Sequence, residues 1–283
     1  MRIDAHLHFW QPSCNFDNRP IADHAFYRRD FLPPDVRPAL DACGIDGVIL
    51  VQTAPQVEET DWCIELARHD DRILGVTAWV DLDGPPIDFA ALAERPKVVG
   101  LRAQLRRVAD TDFVARPRVV ANLAAALRAG LNVTILAEQR HYGAVARLLD
   151  ALPAGPVTVN HLGLPFPEVE AEAWRAFLRR LAERPGTWAQ FSGIPFCFGE
   201  RWHELAARGR MDDALRILGP ERLLYASDWP MLLRFARYED WFAAAWDFVA
   251  GHSLPMSDVA AIFGGNALRA NPRLAVPTHA RAR

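Results

Sequence analysis

Short apolar runs and longer mixed segments alternate along almost the whole of this 283-residue sequence. In the first run, 2–10, the apolar residues Ile3, Ala5 and Leu7 are separated by polar ones, which is the period of a β-strand. The later runs are apolar almost throughout, as is typical of parallel strands buried on both faces. The sequence therefore predicts strands at 2–10, 47–52, 73–80, 98–104, 132–138, 157–161, 187–192 and 223–228.

The segments between these strands carry helix signals. The first has Pro33 and Pro34 near its start and Gly44 after its end, as helix caps prefer. We predict helices near 35–43, 58–69, 87–94, 118–129, 142–152, 168–183, 201–218, 238–251 and 257–269.

Eight strands that alternate with helices predict parallel βαβ units, and eight such units close a (β/α)8 barrel. An open doubly wound sheet is the alternative. However, the first strand is not followed by the Gly-rich turn that cradles a dinucleotide. The predicted fold is an α/β TIM barrel that forms one domain over residues 1–283.

Composition narrows the functional classes. Hydrophobic residues make up 51% of the chain, enough for one large core, and the net charge of −3 offers no basic surface to nucleic acid or to an anionic membrane. A strand that starts at residue 2 leaves no room for a signal peptide, and no 18-residue apolar run could span a bilayer. Without a C-x-x-C spacing, the cysteines are expected to be reduced thiols of a cytoplasmic protein: Cys14, Cys43, Cys63 and Cys197. The composition also permits a homo-oligomer.

Polar residues collect where the predicted strands end, which is the face of a barrel that carries active sites. His6 and His8 lie two residues apart on the first strand and are expected to share a face. His161 ends the sixth strand and Asp228 ends the eighth. Three histidines and one carboxylate at one mouth predict a catalytic or metal site. The other candidates near strand ends are Gln52, Trp79, Asp81, Arg102, Gln104, Glu138, Arg140, His141, Ser192 and Trp229.

The long loop 11–33 follows the first strand. Loops of this length inside a compact domain are usually functional or disordered. The side chains that could line a substrate pocket are Arg19, His24, Tyr27 and Arg28.

Six segments, in this order, resemble one enzyme family: 4–10 (DAHLHFW), 29–33 (RDFLP), 100–102 (GLR), 160–163 (NHLG), 225–230 (YASDWP) and 262–267 (IFGGNA). They resemble the amidohydrolase superfamily, in particular its branch of L-fucono-, L-rhamnono- and 2-pyrone-4,6-dicarboxylate lactonases. The resemblance covers essentially the whole chain. It implies a distorted (β/α)8 barrel and the hydrolysis of a small lactone. The family's histidines map onto His6, His8 and His161, and its aspartate maps onto Asp228.

The sequence departs from this branch at Asn160 and Leu164, where Asp and Lys are usual. Loss of that charge pair leaves the exact substrate open, though not the reaction class. The superfamily's bridging lysine and fifth-strand histidine are also missing. The resemblance therefore implies at most one divalent ion, with zinc favoured, on the four residues His6, His8, His161 and Asp228. The branch includes metal-dependent and metal-independent enzymes, so both arrangements stay open.

The expected chemistry assigns a role to each residue type. Asp228 would be the general base, and His6, His8 and His161 would either hold the metal or polarise the carbonyl as hydrogen-bond donors. Arg102 suits a carboxylate or sugar hydroxyls, unless it pairs with Asp81 or Glu138 at the rim. The remaining expected substrate contacts are Gln104, Trp79, Tyr27, Arg140 and Trp229.

Two other functions are compatible with the sequence. A metal-dependent decarboxylase of the same superfamily would use a similar set of histidines and aspartate, and detection of released carbon dioxide would distinguish it. A non-catalytic binding barrel would explain Asn160 and Leu164, but it leaves the four intact central residues without a purpose.

Overall fold

The computed structural model describes residues 1–14 and 25–275. Eight parallel strands form one sheet in the order of the chain. They are β1 (Ile3–Leu7), β2 (Gly47–Val51), β3 (Ile73–Ala78), β4 (Val98–Gln104), β5 (Asn132–Leu136), β6 (Val157–Val159), β7 (Thr187–Phe191) and β8 (Leu223–Tyr225).

The sheet closes on itself just beyond the end of β8. The His8 backbone N–H donates to the Trp229 carbonyl at 2.7 Å, and the Asp228 N–H donates to the His6 carbonyl at 2.9 Å. These bonds join the continuation of the last strand to the first. The predicted α/β TIM barrel is confirmed, and its seam lies where two of the candidate site residues are found.

Helices follow the strands. They are α1 (Pro33–Cys43), α2 (Val57–His69), α3 (Phe89–Glu94), α4 (Pro117–Arg128), α5 (Tyr142–Ala151), α6 (Ala171–Glu183), α7 (Ile194–Phe198), α8 (Leu205–Leu218), α9 (Tyr238–Ala250), α10 (Met256–Ala260) and α11 (Asn266–Ala270). The predicted helix 201–218 begins only at Leu205, because 3-10 and turn residues follow α7. The predicted helix 257–269 is broken by a π-helical turn, Ala261–Gly265.

Two apolar clusters hold the barrel together. The larger one packs the outer faces of the strands against the helices. The smaller one joins Ile3, Ile49, Leu74 and Val99 to Ala267 near the C-terminus, and so fills the amino-terminal end of the barrel. Within the described ranges, no helix combines the length and apolarity needed to cross a bilayer.

Several strands are shorter than predicted at their carboxyl ends, and the missing residues are those of the site. β6 ends at Val159 and β8 at Tyr225, so His161 and Asp228 lie beyond them with φ of 50° and 60°. An extended strand would have continued the ladder and sent alternate side chains outward. Leaving the ladder lets both side chains turn into the mouth of the barrel.

β1 is not the regular strand that the sequence predicted. Its register against β2 shifts between Asp4 and Leu7, as in a β-bulge. His6 and His8 both reach the mouth, whereas Asp4 accepts a hydrogen bond from the Tyr238 hydroxyl of α9 at 3.0 Å.

Candidate active site

A cavity of about 710 Å³ opens at the carboxyl ends of the strands. Its floor contains His8, Arg102, His161 and Asp228, which come from four different places in the chain. The cavity is thus assembled by barrel closure, as in other TIM barrels. The other lining residues are Tyr27, Thr53, Pro55, Gln104, Arg106, Arg107, Leu136, Glu138, Leu164, Phe196, Met231 and Arg234.

Asp228 lies at the centre of the three histidines. Its Oδ1 is 3.7 Å from His6 Nε2, 3.4 Å from His8 Nε2 and 3.7 Å from His161 Nε2. The His6 and His8 Nε2 atoms are themselves 3.0 Å apart. All four residues are at most 5% exposed. The predicted set of three histidines and one carboxylate is therefore brought together on one side of the barrel.

Hydrogen-bond partners at Nδ1 orient two of the imidazoles. His8 Nδ1 lies 2.6 Å from the Val51 carbonyl oxygen, an acceptor, so this nitrogen carries the proton and Nε2 presents a lone pair. His161 Nδ1 lies 2.8 Å from the Ser192 hydroxyl. These partners fix the ring orientations before any substrate arrives.

Nearby charges keep Asp228 ionised, and burial keeps His6 and His161 neutral. Burial alone would raise the pKa of Asp228, but His161, His8 and Arg102 outweigh it and hold that pKa below its ordinary value. Burial lowers the pKa of His161 to about 4, although Asp228 opposes the change. Burial, with the nearby His8 and His161, also lowers the pKa of His6 well below its usual range. At neutral pH Asp228 is therefore a carboxylate next to the uncharged imidazoles of His6 and His161.

The turn that carries His161 leaves no room for a side chain at the start of α7. Gly193 has a φ of +76°, and a Cβ there would lie 2.5 Å from the Cβ of His161. Glycine is therefore required at this position both by its backbone conformation and by the close approach of His161.

Arg102 is the buried cation of the site. Its Nη2 donates to the Gln52 carbonyl at 2.7 Å, and the residue is 6% exposed. Burial lowers the pKa of Arg102 to about 10, although Asp228 opposes the change. Among the described residues no carboxylate lies within ion-pair distance of it, so the considered pairs with Asp81 and Glu138 are not formed.

The other predicted substrate contacts divide into two groups. Gln104 and Tyr27 line the cavity, and the Tyr27 hydroxyl donates to the Met231 carbonyl at 2.8 Å. Trp79, Arg140 and Trp229 are not among its lining residues. Arg140 instead donates to Glu138 Oε1 at 2.9 Å. Trp229 packs against Phe9 and Phe31, and the Trp79 backbone N–H donates to Gln52 Oε1 at 2.9 Å. Arg28 is exposed, and Arg19 and His24 lie outside the described residues.

The sequence analysis gave no structural role to three residues that support the site. Asp4 accepts the His6 N–H at 3.1 Å and the Ser227 N–H at 3.0 Å, and so ties the bulge of β1 to the turn that carries Asp228. Asn160 and Gln190 lie behind His6. An apolar strand interrupted by a fully buried acid or amide is the signal that could have revealed them.

The spacing of the donors suits one divalent ion. Four ligands about 2.0–2.2 Å from a tetrahedral ion lie roughly 3.3–3.6 Å apart, and the separations given above bracket that range. One ligand atom from each of His6, His161 and Asp228 fits within a span of 4.8 Å. Imidazole nitrogen and carboxylate oxygen are ligands that zinc accepts. His6, His161 and Asp228 could therefore hold a single divalent metal, and His8, whose Nε2 lies 3.4 Å from Asp228 Oδ1, is a further candidate ligand.

Comparison with known proteins identifies the class of protein to which this barrel and site belong. The family described as Amidohydrolase matches residues 3–270, so the chain belongs to the amidohydrolase family, as the motifs indicated.

Two curated relatives are each called L-fucono-1,5-lactonase. The protein from Burkholderia ambifaria is 30% identical over 281 residues, covering 94% of this chain and 93% of its own length. The protein from Burkholderia multivorans is 31% identical over 296 residues, covering 100% and 99%. A crystal structure of an amidohydrolase from Burkholderia multivorans with bound zinc superposes with a TM-score of 0.84 at 29% identity, covering 95% of this chain and 98% of that one.

Proposed function

We propose that this enzyme opens the ring of a small lactone by water attack on its carbonyl, with Asp228 as general base. The observation that carries the proposal is the placement of the Asp228 carboxylate, buried and ionised, at the centre of three imidazoles on a cavity floor. The names of the two curated relatives favour a sugar-acid 1,5-lactone. A 1,4-lactone and a pyrone dicarboxylate lactone are the other candidates.

In the proposed reaction, Asp228 takes a proton from a water molecule while the water oxygen attacks the lactone carbonyl carbon. The carbonyl electron pair moves onto oxygen, and the donors that line the cavity, His161 and Arg102, stabilise the oxyanion. The carbonyl then re-forms and its bond to the ring oxygen breaks. That oxygen takes the proton from Asp228, which leaves an open-chain hydroxy acid.

The lowered pKa of Asp228 makes it an intrinsically weak base, so its contribution to the rate must come from its position. A buried carboxylate that its neighbours hold in place needs little reorganisation to meet the attacking water. When a divalent ion is bound by His6, His8, His161 and Asp228, it would supply acidification of a water and polarisation of the carbonyl.

The cavity walls favour a small ring with one polar and one apolar edge. Arg102 and Gln104 offer hydrogen-bond donors on one side. Leu136, Leu164 and Phe196 form an apolar wall, together with Met231. We assign Arg102, Gln104 and Tyr27 to substrate binding on this basis.

A metal-dependent decarboxylase is the second candidate function, and one observation favours it. Arg102 is a buried cation without a carboxylate partner among the described residues, and a substrate carboxylate would supply that partner. We rank it second because the curated relatives at 30% and 31% identity are lactonases.

The test is a panel of 1,4- and 1,5-aldonolactones and a pyrone dicarboxylate lactone, followed by acid release with and without chelator. Asp228→Asn is isosteric and should lower the rate on the best substrate by at least about 10²- to 10⁴-fold. Asp212→Asn, which alters an exposed acid on α8, is the matched control and should leave the rate unchanged.

Two results would contradict the proposed function. One is an Asp228→Asn enzyme that keeps more than about a tenth of the rate, given the size of the expected loss; the base would then lie elsewhere, and Glu138 would be the next acid to replace. The other is release of carbon dioxide from a hydroxybenzoate without hydrolysis of any lactone, which would favour the decarboxylase.

A further inference from the structure

We propose that Asn160 fixes the proton of His6 on Nε2 and thereby weakens the hold of this site on a divalent metal. Asn160 lies next to His161, is not among the residues that line the cavity, and contacts His6 at Nδ1. It acts through His6 and is a positioning residue. The proposal concerns metal affinity, so it stands or falls independently of which substrate is hydrolysed.

The hydrogen-bonding role of the Ala5 backbone carbonyl is fixed by its chemistry. The Ala5 backbone carbonyl can only accept, and Gln190 Nε2 lies 3.3 Å from its oxygen. The amide of Gln190 must therefore point its NH2 group at Ala5 and its Oε1 the other way. That oxygen lies 2.7 Å from Asn160 Nδ2, which must be the donor.

The same NH2 group of Asn160 also faces His6. Asn160 Nδ2 lies 3.2 Å from His6 Nδ1, and an amide NH2 has two protons, one for Gln190 and one for His6. His6 Nδ1 is then an acceptor and carries no proton. In a neutral imidazole the proton must sit on the other nitrogen, Nε2.

The far side of His6 agrees with this assignment. His6 Nε2 lies 3.0 Å from His8 Nε2, and His8 presents a lone pair there because its own proton is directed at the Val51 carbonyl. His6 Nε2–H therefore donates to His8. From the Ala5 carbonyl to the Val51 carbonyl, each of these five contacts then pairs a donor with an acceptor.

This arrangement opposes metal binding at His6. A ligating imidazole needs a lone pair on the nitrogen that faces the metal, so the proton of His6 would have to move to Nδ1. There the proton would point at the NH2 group of Asn160, so that two hydrogen-bond donors would face each other. The buried Asn160 Oδ1 could accept that proton after an amide flip, and it has no partner among the described residues. The flip would break the bond to Gln190, so the metal-binding state costs a buried hydrogen bond.

A carboxylate at this position would remove the conflict. The substitution Asn160→Asp supplies an acceptor for a proton on His6 Nδ1 and leaves Nε2 free for the metal. Gln190 can turn its amide toward the new carboxylate at the expense of its long bond to Ala5. Groups of this kind behind a metal-bound histidine typically change affinity by about 10- to 100-fold.

The experiment measures zinc affinity of the full-length enzyme by calorimetry or chelator competition, and cobalt binding by its visible spectrum. We expect Asn160→Asp to bind both ions about 10- to 100-fold more tightly than the unaltered enzyme. Asn160→Ala removes the opposing donor without adding a charge, and it should fall between the two. In the metal-free enzyme, the ¹⁵N resonances of His6, identified by their loss in His6→Asn, should show a protonated Nε2.

The proposal is overturned if Asn160→Asp binds zinc no more tightly than the unaltered enzyme, or if the ¹⁵N resonances place the proton of His6 on Nδ1. Should Asn160→Asp fail to fold, Asn160→Ala decides the question. Zinc affinity at or below that of the unaltered enzyme in that variant would show that the amide donor does not oppose the metal.

Discussion

The buried acid at the seam of the barrel, Asp4, should make the stability of this enzyme depend on pH in a direction opposite to that of most acids. Its carboxylate accepts the N–H groups of His6 and Ser227 and the hydroxyl of Tyr238. These bonds favour the charged form, but full burial outweighs them and raises the pKa of Asp4 from 3.8 to about 6.

The direction in which stability changes with pH follows from proton linkage. Between the two pKa values the folded protein holds a proton on Asp4 that the unfolded chain has released, so stability falls as pH rises through this window and levels off above it. A change from 3.8 to about 6 is worth about 3 kcal/mol, of which about 2 to 3 kcal/mol is lost between about pH 4 and about pH 7.

The substitution Asp4→Asn isolates this effect. The amide oxygen can still accept both backbone N–H groups, and the NH2 group can donate to the Tyr238 hydroxyl oxygen. The free energy of unfolding, measured by denaturant titration of both proteins at a series of pH values, should shift in favour of Asp4→Asn by about 2 to 3 kcal/mol as the pH rises from about 4 to about 7. The low pKa values of His6 and His161 act in both proteins and cancel in the difference. A difference that stays constant across the range would refute the reasoning, because Asp4 would then be ionised in the folded protein throughout.

Two further predictions concern the floor of the cavity. Gly193→Ala should lower both the melting temperature and the rate, since its Cβ would collide with His161, whereas Gly209→Ala on α8 meets nothing within 4 Å and should stabilise by about 0.5–1 kcal/mol. Thermal melts with lactone assays check this pair, and a Gly193→Ala enzyme with normal rate would show that His161 tolerates displacement. Arg102→Met should lower kcat/KM by about 10- to 100-fold through loss of a charge-assisted hydrogen bond, and Arg102→Lys should recover part of it. Steady-state kinetics measure both, and equal values for Met and Lys would argue against a role for the charge.

The number and order of the strands could be predicted from the sequence because each strand is a distinct apolar run. Val48 to Val51 and Val157 to Val159 are buried on both faces, so their pattern needed no tertiary information. The residues at the strand ends could also be predicted, since a barrel brings those ends to one mouth wherever they fall in the chain.

The sequence was insufficient wherever the backbone leaves its regular conformation. The bulge in β1 is accompanied by hydrogen bonds from His6 and Ser227 to Asp4, and the sequence does not show which residues Asp4 would bond. The left-handed conformations of His161 and Asp228 are likewise imposed by the surrounding turns. Trp79 and Trp229 were expected to contact substrate because they end strands, but neither is among the residues that line the cavity.

The irregular backbone positions of His161 and Asp228 also place the side chains of the site. A left-handed conformation in a residue other than glycine costs of order 1–3 kcal/mol and persists only where neighbours enforce it. Here the enforcement comes from groups behind the reacting face: Asp4 ties the turn before Asp228 to β1, and Gly193 leaves space for His161. Asn160, in turn, directs the proton of His6. The four central residues define the reaction that is proposed, but part of the geometry they bring to it is set by Asp4, Asn160 and Gly193, which do not line the cavity.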